Sequence, residues 1–302
     1  MPQQLERAKA VAGPSSRAAA PQVGLLSPRH IVFMLPLILL HLGCGLVVLV
    51  GVSMPALAIF FCSSAIRVFG ITTGYHRLLA HRSFKTSRTF QFILALCGVL
   101  AGQNGPLWWV GHHRQHHRYS DREGDAHSPR RGFFWSHMGW LFSPECVPVR
   151  HRLVVDLARF SELVWLQRYS YVVNLGHTLM LYAGGEAWRV LDPTAGASGF
   201  QFLVWGLILS TVWAYHGIWS ANSVCHRFGF RRHATRDDSR NNILVALWIF
   251  GDGWHHNHHY CPQSARHGFR WWEIDFNFVI LVLLSRLGVV WDLRLPPKAA
   301  PI

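Results

Sequence analysis

Four stretches of the chain are apolar for long enough to be considered as membrane spans. Residues 31–50 carry one strongly polar residue, His41, and residues 54–74 follow after almost no loop, interrupted by Arg67. Residues 200–221 form another, while residues 169–183 are short. A hydrocarbon core needs about 20 residues of helix, so the third stretch must borrow flanking turns. Two further apolar segments, 90–100 and 276–290, fall between polar blocks and fit interface-lying or packed helices better than independent spans. The pattern predicts an all-α integral membrane protein with four transmembrane helices in two hairpins and a helical cap. Its organisation reads as a disordered N-terminal tail over 1–29, one domain over 30–296 and a C-terminal tail over 297–302.

The basic residues test that count, because cytoplasmic loops are enriched in Lys and Arg. Lys and Arg are plentiful before the first span and absent between the first and second. They are dense from Arg77 to Arg168, reduced to Arg189 between the third and fourth spans, and dense again from Arg227 to Lys298. This alternation puts both termini and the large central block on the cytoplasmic side. It also accounts for the charge: 29 basic residues against 15 acidic, +14 overall, reflect topology and lipid headgroup contact. A nucleic-acid binder would need a basic soluble module, and no such segment is found.

Composition sharpens the chemistry. Half of the 302 residues are hydrophobic and only 15% are charged, yet the 20 histidines outnumber all the carboxylates. Polar chemistry here falls to imidazole. The six cysteines, at 44, 62, 97, 146, 225 and 261, form no Cys-x-x-Cys pair, which argues against a disulfide framework or a thiolate metal site. The first 29 residues have no apolar stretch with a cleavage site, so they read as a tail rather than a secretory signal.

Three histidine clusters fall in the blocks assigned to the cytoplasmic side: His76 with His81, His113 with His116 and His117, and His255 with His258 and His259. In the last two, positions i, i+3 and i+4 lie within about 60° of one helical face. The first pair is different, because five residues turn an ideal helix to about 140°. Either the helix distorts there or the two rings approach a site from different directions. Eight imidazoles exceed what one ion can hold, so two metal ions are implied, with iron, zinc and copper all possible on ligand type. Isolated residues such as His30, His151 and His177 read as surface or packing residues.

These residues resemble the membrane fatty acid desaturases, specifically the acyl-CoA Δ9 type in its bacterial form, over about residues 31–296. The likeness rests on TGYHRLLAHR at 73–82, HRQHH at 113–117, DAHSPRRGFFWSHMGW at 125–140, NSVCH at 222–226 and GDGWHHNHH at 251–259. The resemblance implies a di-iron centre with nine ligands: His76, His81, His113, His116, His117, His226, His255, His258 and His259, with Asn222 near one iron through water. His226 is not singled out by spacing. The third box departs from the family pattern at Asp252, in place of Glu, and at His256, in place of Asn. Asp252 keeps a carboxylate able to orient a ligand imidazole, and His256 is left out of the ligand set.

The implied reaction is O2-dependent removal of two hydrogens from adjacent methylenes of a saturated acyl chain, giving a cis double bond, with Δ9 favoured. An alkane C–H is too weak an acid for side-chain chemistry, so a redox-active metal is needed, and zinc would not serve. An apolar tunnel should hold the chain, lined from the second and fourth spans, the 90–100 helix, Trp108 and Trp109, and the 133–140 segment. Acyl-CoA is the favoured carrier, with acyl-lipid and acyl-carrier-protein substrates open. Asn104, Trp109, Arg130 and Arg131 match the acyl-CoA type as headgroup residues, but Gly111 and His112 stand where that type has an Arg-Asp pair. No haem, flavin or iron-sulfur signature is present, which implies a separate ferredoxin, rubredoxin or cytochrome b5-like donor on the basic face. A di-iron membrane hydroxylase and a metal transporter are the alternatives. The latter is disfavoured because ionisable residues within the spans are few and unaligned.

Overall fold

A computed structural model describes residues 28–297, so nearly all of the N-terminal tail and residues 298–302 lie outside the described residues. The first hairpin begins with α1 (Pro28–Gly43), passes through a tight 3-10 turn at Cys44–Leu46 into α2 (Val47–Val50), and returns as α3 (Met54–Phe69). Ser53 starts α3, its hydroxyl accepting from the Ala56 N–H, and Pro55 occupies the first turn where no amide donor is required. The helix does not stop at Phe69. It continues as a π-helix, Gly70–Ala80, into the first histidine cluster.

α4 (Arg88–Leu100), capped by Ser87, lies directly on that π-helix. Gly70 and Gly74 make the approach possible: a Cβ on Gly70 would lie 2.3 Å from the Cys97 carbonyl carbon, and one on Gly74 2.6 Å from the Leu94 oxygen. The apolar segment at 90–100 is thus a packed helix, as its length suggested. α5 (Pro106–Tyr119) and α6 (Phe133–His137) follow on the histidine-bearing side.

The second hairpin pairs α7 (Ser161–Leu191) with a helix running from α8 (Gly199–Phe202) through a π-helical stretch, Leu203–Leu209, into α9 (Ser210–Ser223). Three helical runs are long and apolar enough to cross a membrane: His30–Val50, Met54–Ala80 and Gly199–His226. The short third stretch, 169–183, is the inner part of the 31-residue α7, which kinks at Tyr169 (φ −111°, ψ 21°). Its outer face is a stripe of exposed apolar residues, Tyr171, Val172, Leu175 and Leu179. Arg67, midway along the second span, points inward, donating to the Thr211 hydroxyl at 3.0 Å and the Ser63 carbonyl at 3.2 Å.

α10 (Ile243–Trp248), α11 (His255–Tyr260) and α12 (Phe276–Arg286) follow, with Asn242 and Asp275 capping α10 and α12. One feature departs from a purely helical expectation. β1 (Lys85–Thr86) pairs antiparallel with β2 (Val290–Trp291), pinning the loop after the first histidine cluster to the C-terminal end of the domain.

Candidate metal centre

The π-helix resolves the first histidine pair. Its backbone bonds span five residues, and the His81 N–H donates to the His76 carbonyl at 3.1 Å. Residues five apart therefore stack on one side, and the two imidazoles meet with ring centroids 4.9 Å apart. Of the two alternatives the spacing left open, the helix distorts, and it brings both rings to one group rather than two.

The other clusters behave in the opposite way. On α5 and on α11, the i and i+4 histidines go to one group while the i+3 histidine goes to the other. His76, His81, His113, His117 and His258 form a group of five; His116, His226, His255 and His259 form a group of four. In each, one ligand atom per residue lies within 4.8 Å of all the others. Every histidine expected as a ligand therefore falls in one of two adjacent groups, including His226, which ends the 3-10 turn after α9.

Four carboxylates set the orientation. Nδ1 of His76 lies 2.6 Å from Asp252, that of His116 3.0 Å from Asp125, that of His226 2.9 Å from Asp121, and that of His259 3.0 Å from Asp237. An ionised carboxylate only accepts, so each Nδ1 carries the proton and each Nε2 presents a bare lone pair. In the four-residue group, the Nε2 atoms of His226 and His259 each lie 3.1 Å from Nε2 of His255. His116 Nε2 is buried with no hydrogen-bond partner among the described residues. In the larger group, His76 and His258 approach to 3.0 Å, and His81 and His113 to 2.7 Å. Lone pairs converging at this range repel one another unless a cation sits among them, and imidazole nitrogen suits a borderline transition metal.

The electrostatics agree. Burial, reinforced by neighbouring imidazoles, holds His81, His113, His117, His255 and His258 far below the usual histidine range, so they are neutral at pH 7 and free to coordinate. Burial also lowers His259, to about 4, against the pull of Asp237. His116 is the exception: burial lowers it, but Asp125, Asp121 and Asp237 together outweigh that and raise it.

Asp252, which the third box carries in place of Glu, lies against His76 Nδ1. Its second oxygen accepts from Arg77 at 2.8 Å, and Arg77 also donates to Asp275 at 3.0 Å, so the buried guanidinium is balanced by carboxylates on both sides. His256 turns away from both groups. Its Nε2 accepts from the His233 N–H at 2.9 Å and its Nδ1 meets the Ser239 hydroxyl at 3.0 Å, bracketing the loop that carries Asp237. Sequence reasoning missed Asp121, Asp125 and Asp237 as orienting groups, and buried His127 and His267 at the edges of the two groups. The available signal was positional: Asp121 and Asp125 lie just downstream of the second cluster in a chain with few acids.

A cavity of about 960 Å³, counting its open mouth, runs from His113 and Asn222 outward between α1, α5, α7 and α9. Trp108, Trp140, Tyr215, Ile218 and Trp219 give it an apolar wall. A smaller pocket shares Trp109, His113, Ile218 and Asn222 with it, and adds Ile71, His76 and His255, so it touches both histidine groups. The first span contributes Pro36 and Leu37 to the larger cavity, which was not expected, whereas no residue of 90–100 lines either one. Of the expected headgroup residues, Asn104 and Trp109 stand in the cavity, while Arg130 and Arg131 lie on the exposed surface against Asp238 and the Trp135 ring. The four do not converge. A separate open cleft exposes His81, His117 and His259 beside Arg82, Arg114 and Tyr260.

A family model described as fatty acid desaturase matches residues 46–283. Over 232 residues, 76% of this chain and 80% of the relative, the sequence is 42% identical to the sn-1 stearoyl-lipid 9-desaturase of Anabaena variabilis. It is 40% identical over 231 residues, 76% of this chain and 69% of the relative, to the acyl-CoA 5-desaturase AL21 of Anemone leveillei. It is also 38% identical over 236 residues, 77% of this chain and 60% of the relative, to the chloroplastic palmitoyl-monogalactosyldiacylglycerol delta-7 desaturase of Arabidopsis thaliana.

Proposed function

Because this chain belongs to the fatty acid desaturase family, and is therefore a desaturase of the oxidoreductase class acting on an acyl substrate, we propose that it inserts a cis Δ9 double bond into a saturated, lipid-linked acyl chain. The nine histidines named above would hold two irons, five imidazoles on one and four on the other, with Asn222 beside the second through water. The overall change is –CH2–CH2– + O2 + 2 e⁻ + 2 H⁺ → –CH=CH– + 2 H2O. Two bound irons supply the reaction of O2 that is strong enough to remove hydrogen from an unactivated methylene. The observation that carries this reading is the convergence of carboxylate-oriented Nε2 lone pairs in two neighbouring groups.

The chain's own part is positioning. Asp121, Asp125, Asp237 and Asp252 hold four imidazoles in one tautomer and one orientation. The tryptophans around the cavity exclude water and hold the alkyl chain against His113 and Asn222. The two electrons come from a separate ferredoxin, rubredoxin or cytochrome b5-like donor docked over the cleft that exposes His81, His117 and His259. This reading takes a lipid-linked carrier rather than the acyl-CoA expected from sequence; in its support, no Lys or Arg is among the described residues lining the cavity, and a CoA headgroup brings several phosphates. In this reading the chain crosses the inner membrane four times, with α7 as the third span, and the alternation of Lys- and Arg-rich segments supports both termini and the histidines on the cytoplasmic side.

Expression in a host lacking unsaturated fatty acids, with lipid analysis by mass spectrometry, tests the proposal. A new cis-9 alkene in glycerolipids is expected. An alcohol in its place would point to hydroxylation, and an unchanged profile in cells that contain the iron-loaded protein would overturn the reading.

A further inference from the structure

The large cavity has a mouth, and its position follows from which lining residues are exposed. Most of the wall is buried or half-buried; the exposed members are Pro36, Gly102 and Tyr171. Pro36 lies on α1, six residues past the start of the first span, or about 9 Å along a helix. Tyr171 lies on α7, two residues past the kink, at the head of the exposed apolar stripe. Gly102 lies in the turn after α4, and the other two exposed members lie on helices whose outer faces are apolar. On α1 these outward residues are Ile31, Val32, Leu35, Ile38, Leu39 and Leu42.

α1 is also the least embedded wall. Its packing partners are α9, the π-helical stretch before it, and its own continuation. It ends at Gly43, where the 3-10 turn with Gly45 interrupts the helix. One polar tie to the bundle, near this end, is His41. The His41 Nδ1 lies 2.7 Å from the Leu37 carbonyl, which only accepts, so Nδ1 carries the proton and Nε2 accepts. His216 on α9 then donates from Nε2 to His41 at 3.3 Å, and its Nδ1 accepts from His137 of α6 at 2.9 Å. Three imidazoles thus fasten α1 to the bundle through one ordered chain of hydrogen bonds at membrane depth, where an ionisable side chain is costly without a purpose.

We propose that the acyl chain passes sideways from the bilayer into the cavity through the gap between α1 and α7, and that α1 is the movable wall of this gap, latched by His41 to His216. The inference rests on the lipid-linked reading above: a chain still esterified in the cytoplasmic leaflet reaches the histidine groups without leaving the membrane. Leu37, one turn from His41 and facing the cavity, is the side chain that an incoming methylene passes.

The test uses the full-length protein in inside-out membrane vesicles, with single cysteines identified by peptide mass so that native thiols do not interfere. Two probes are compared: a maleimide carrying an octadecyl chain and a membrane-impermeant sulfonated maleimide. Pro36→Cys and Tyr171→Cys should react at least tenfold faster with the octadecyl probe. Adding His41→Leu should raise octadecyl labelling of Leu37→Cys at least fivefold and leave Val190→Cys, at the exposed C-terminal end of α7, unchanged. Equal labelling of Pro36→Cys and Tyr171→Cys by the aqueous probe overturns the lateral gap, and no effect of His41→Leu on Leu37→Cys overturns the latch. Labelling as expected in a protein that forms no alkene from any carrier upholds the gap and refutes the proposed reaction, so the two failures are distinct.

Discussion

Nε2 of His117 lies 2.9 Å from Nε2 of His258, although 141 positions separate the two residues. The contact joins α5 to α11, and each helix supplies histidines to both groups, His113 and His117 with His116 from α5 and His258 with His255 and His259 from α11. The groups are therefore coupled by shared helices but distinct in their ligands. Substituting His258 should remove a ligand from the five-residue group, and substituting His226 one from the four-residue group. We expect His258→Ala and His226→Ala each to lower bound iron from two per chain toward one and to abolish alkene formation, with the protein still in the membrane. Iron per chain by mass spectrometry of purified protein checks this; two irons retained in both variants would undo the assignment of groups.

Asp237 accepts from His259 Nδ1 and also from the Ser239 hydroxyl and N–H, so a local turn holds the carboxylate that orients the ligand. Asp237→Ala leaves His259 free to rotate and to change tautomer. Loss of such an orienting partner typically costs about 10- to 100-fold in metal affinity or activity. The expected result is a drop of that size in iron affinity by competition with a chelator, while His256→Asn, facing away from both groups, changes it less than threefold.

Much of the site was legible in the chain because imidazole clusters at helical spacing survive as sequence pattern. The way the clusters divide was not. Three histidines within about 60° of one helical face look like a single ligand set, yet His116 and His258 lie far enough round to serve a second group. The His76 and His81 pair needed a π-helix, which periodicity does not announce. His226 and Asp121 are joined only by the packing of α9 against the loop after α5, a long-range contact with no local signature. The apolar stretches fared similarly: three emerge as helices of spanning length, while the fourth is hidden in a longer, kinked and more polar α7.

Gly74 makes a prediction about that π-helix. It sits two residues before His76, against the Leu94 backbone, and a methyl there would meet a carbonyl oxygen at 2.6 Å with no flexible side chain to yield. Overpacking of this kind costs about 1–3 kcal/mol, and relief requires the π-helix to move off α4 and carry His76 with it. Gly74→Ala should lower the Tm in detergent and reduce iron occupancy together. A lowered Tm with full iron occupancy would show that the histidine groups tolerate the shift.

Arg67 supplies the opposite case, a buried charge whose removal should help the fold. It lies midway along the second span and is fully buried, and its polar contacts are a hydroxyl and a backbone carbonyl rather than a carboxylate. A charged side chain at the centre of a membrane helix costs about 2.5–3.5 kcal/mol on insertion scales. Removing it strands little: the Ser63 carbonyl retains its place in the helix, and the Thr211 hydroxyl can bond its own preceding turn. Replacing a buried ionic group by an apolar one of similar length is often neutral or stabilising. Arg67→Met should therefore leave the Tm in detergent unchanged or raised by a few degrees, with iron content and alkene yield intact. A fall in Tm would mean that the guanidinium holds α3 to α9 more strongly than its two hydrogen bonds imply.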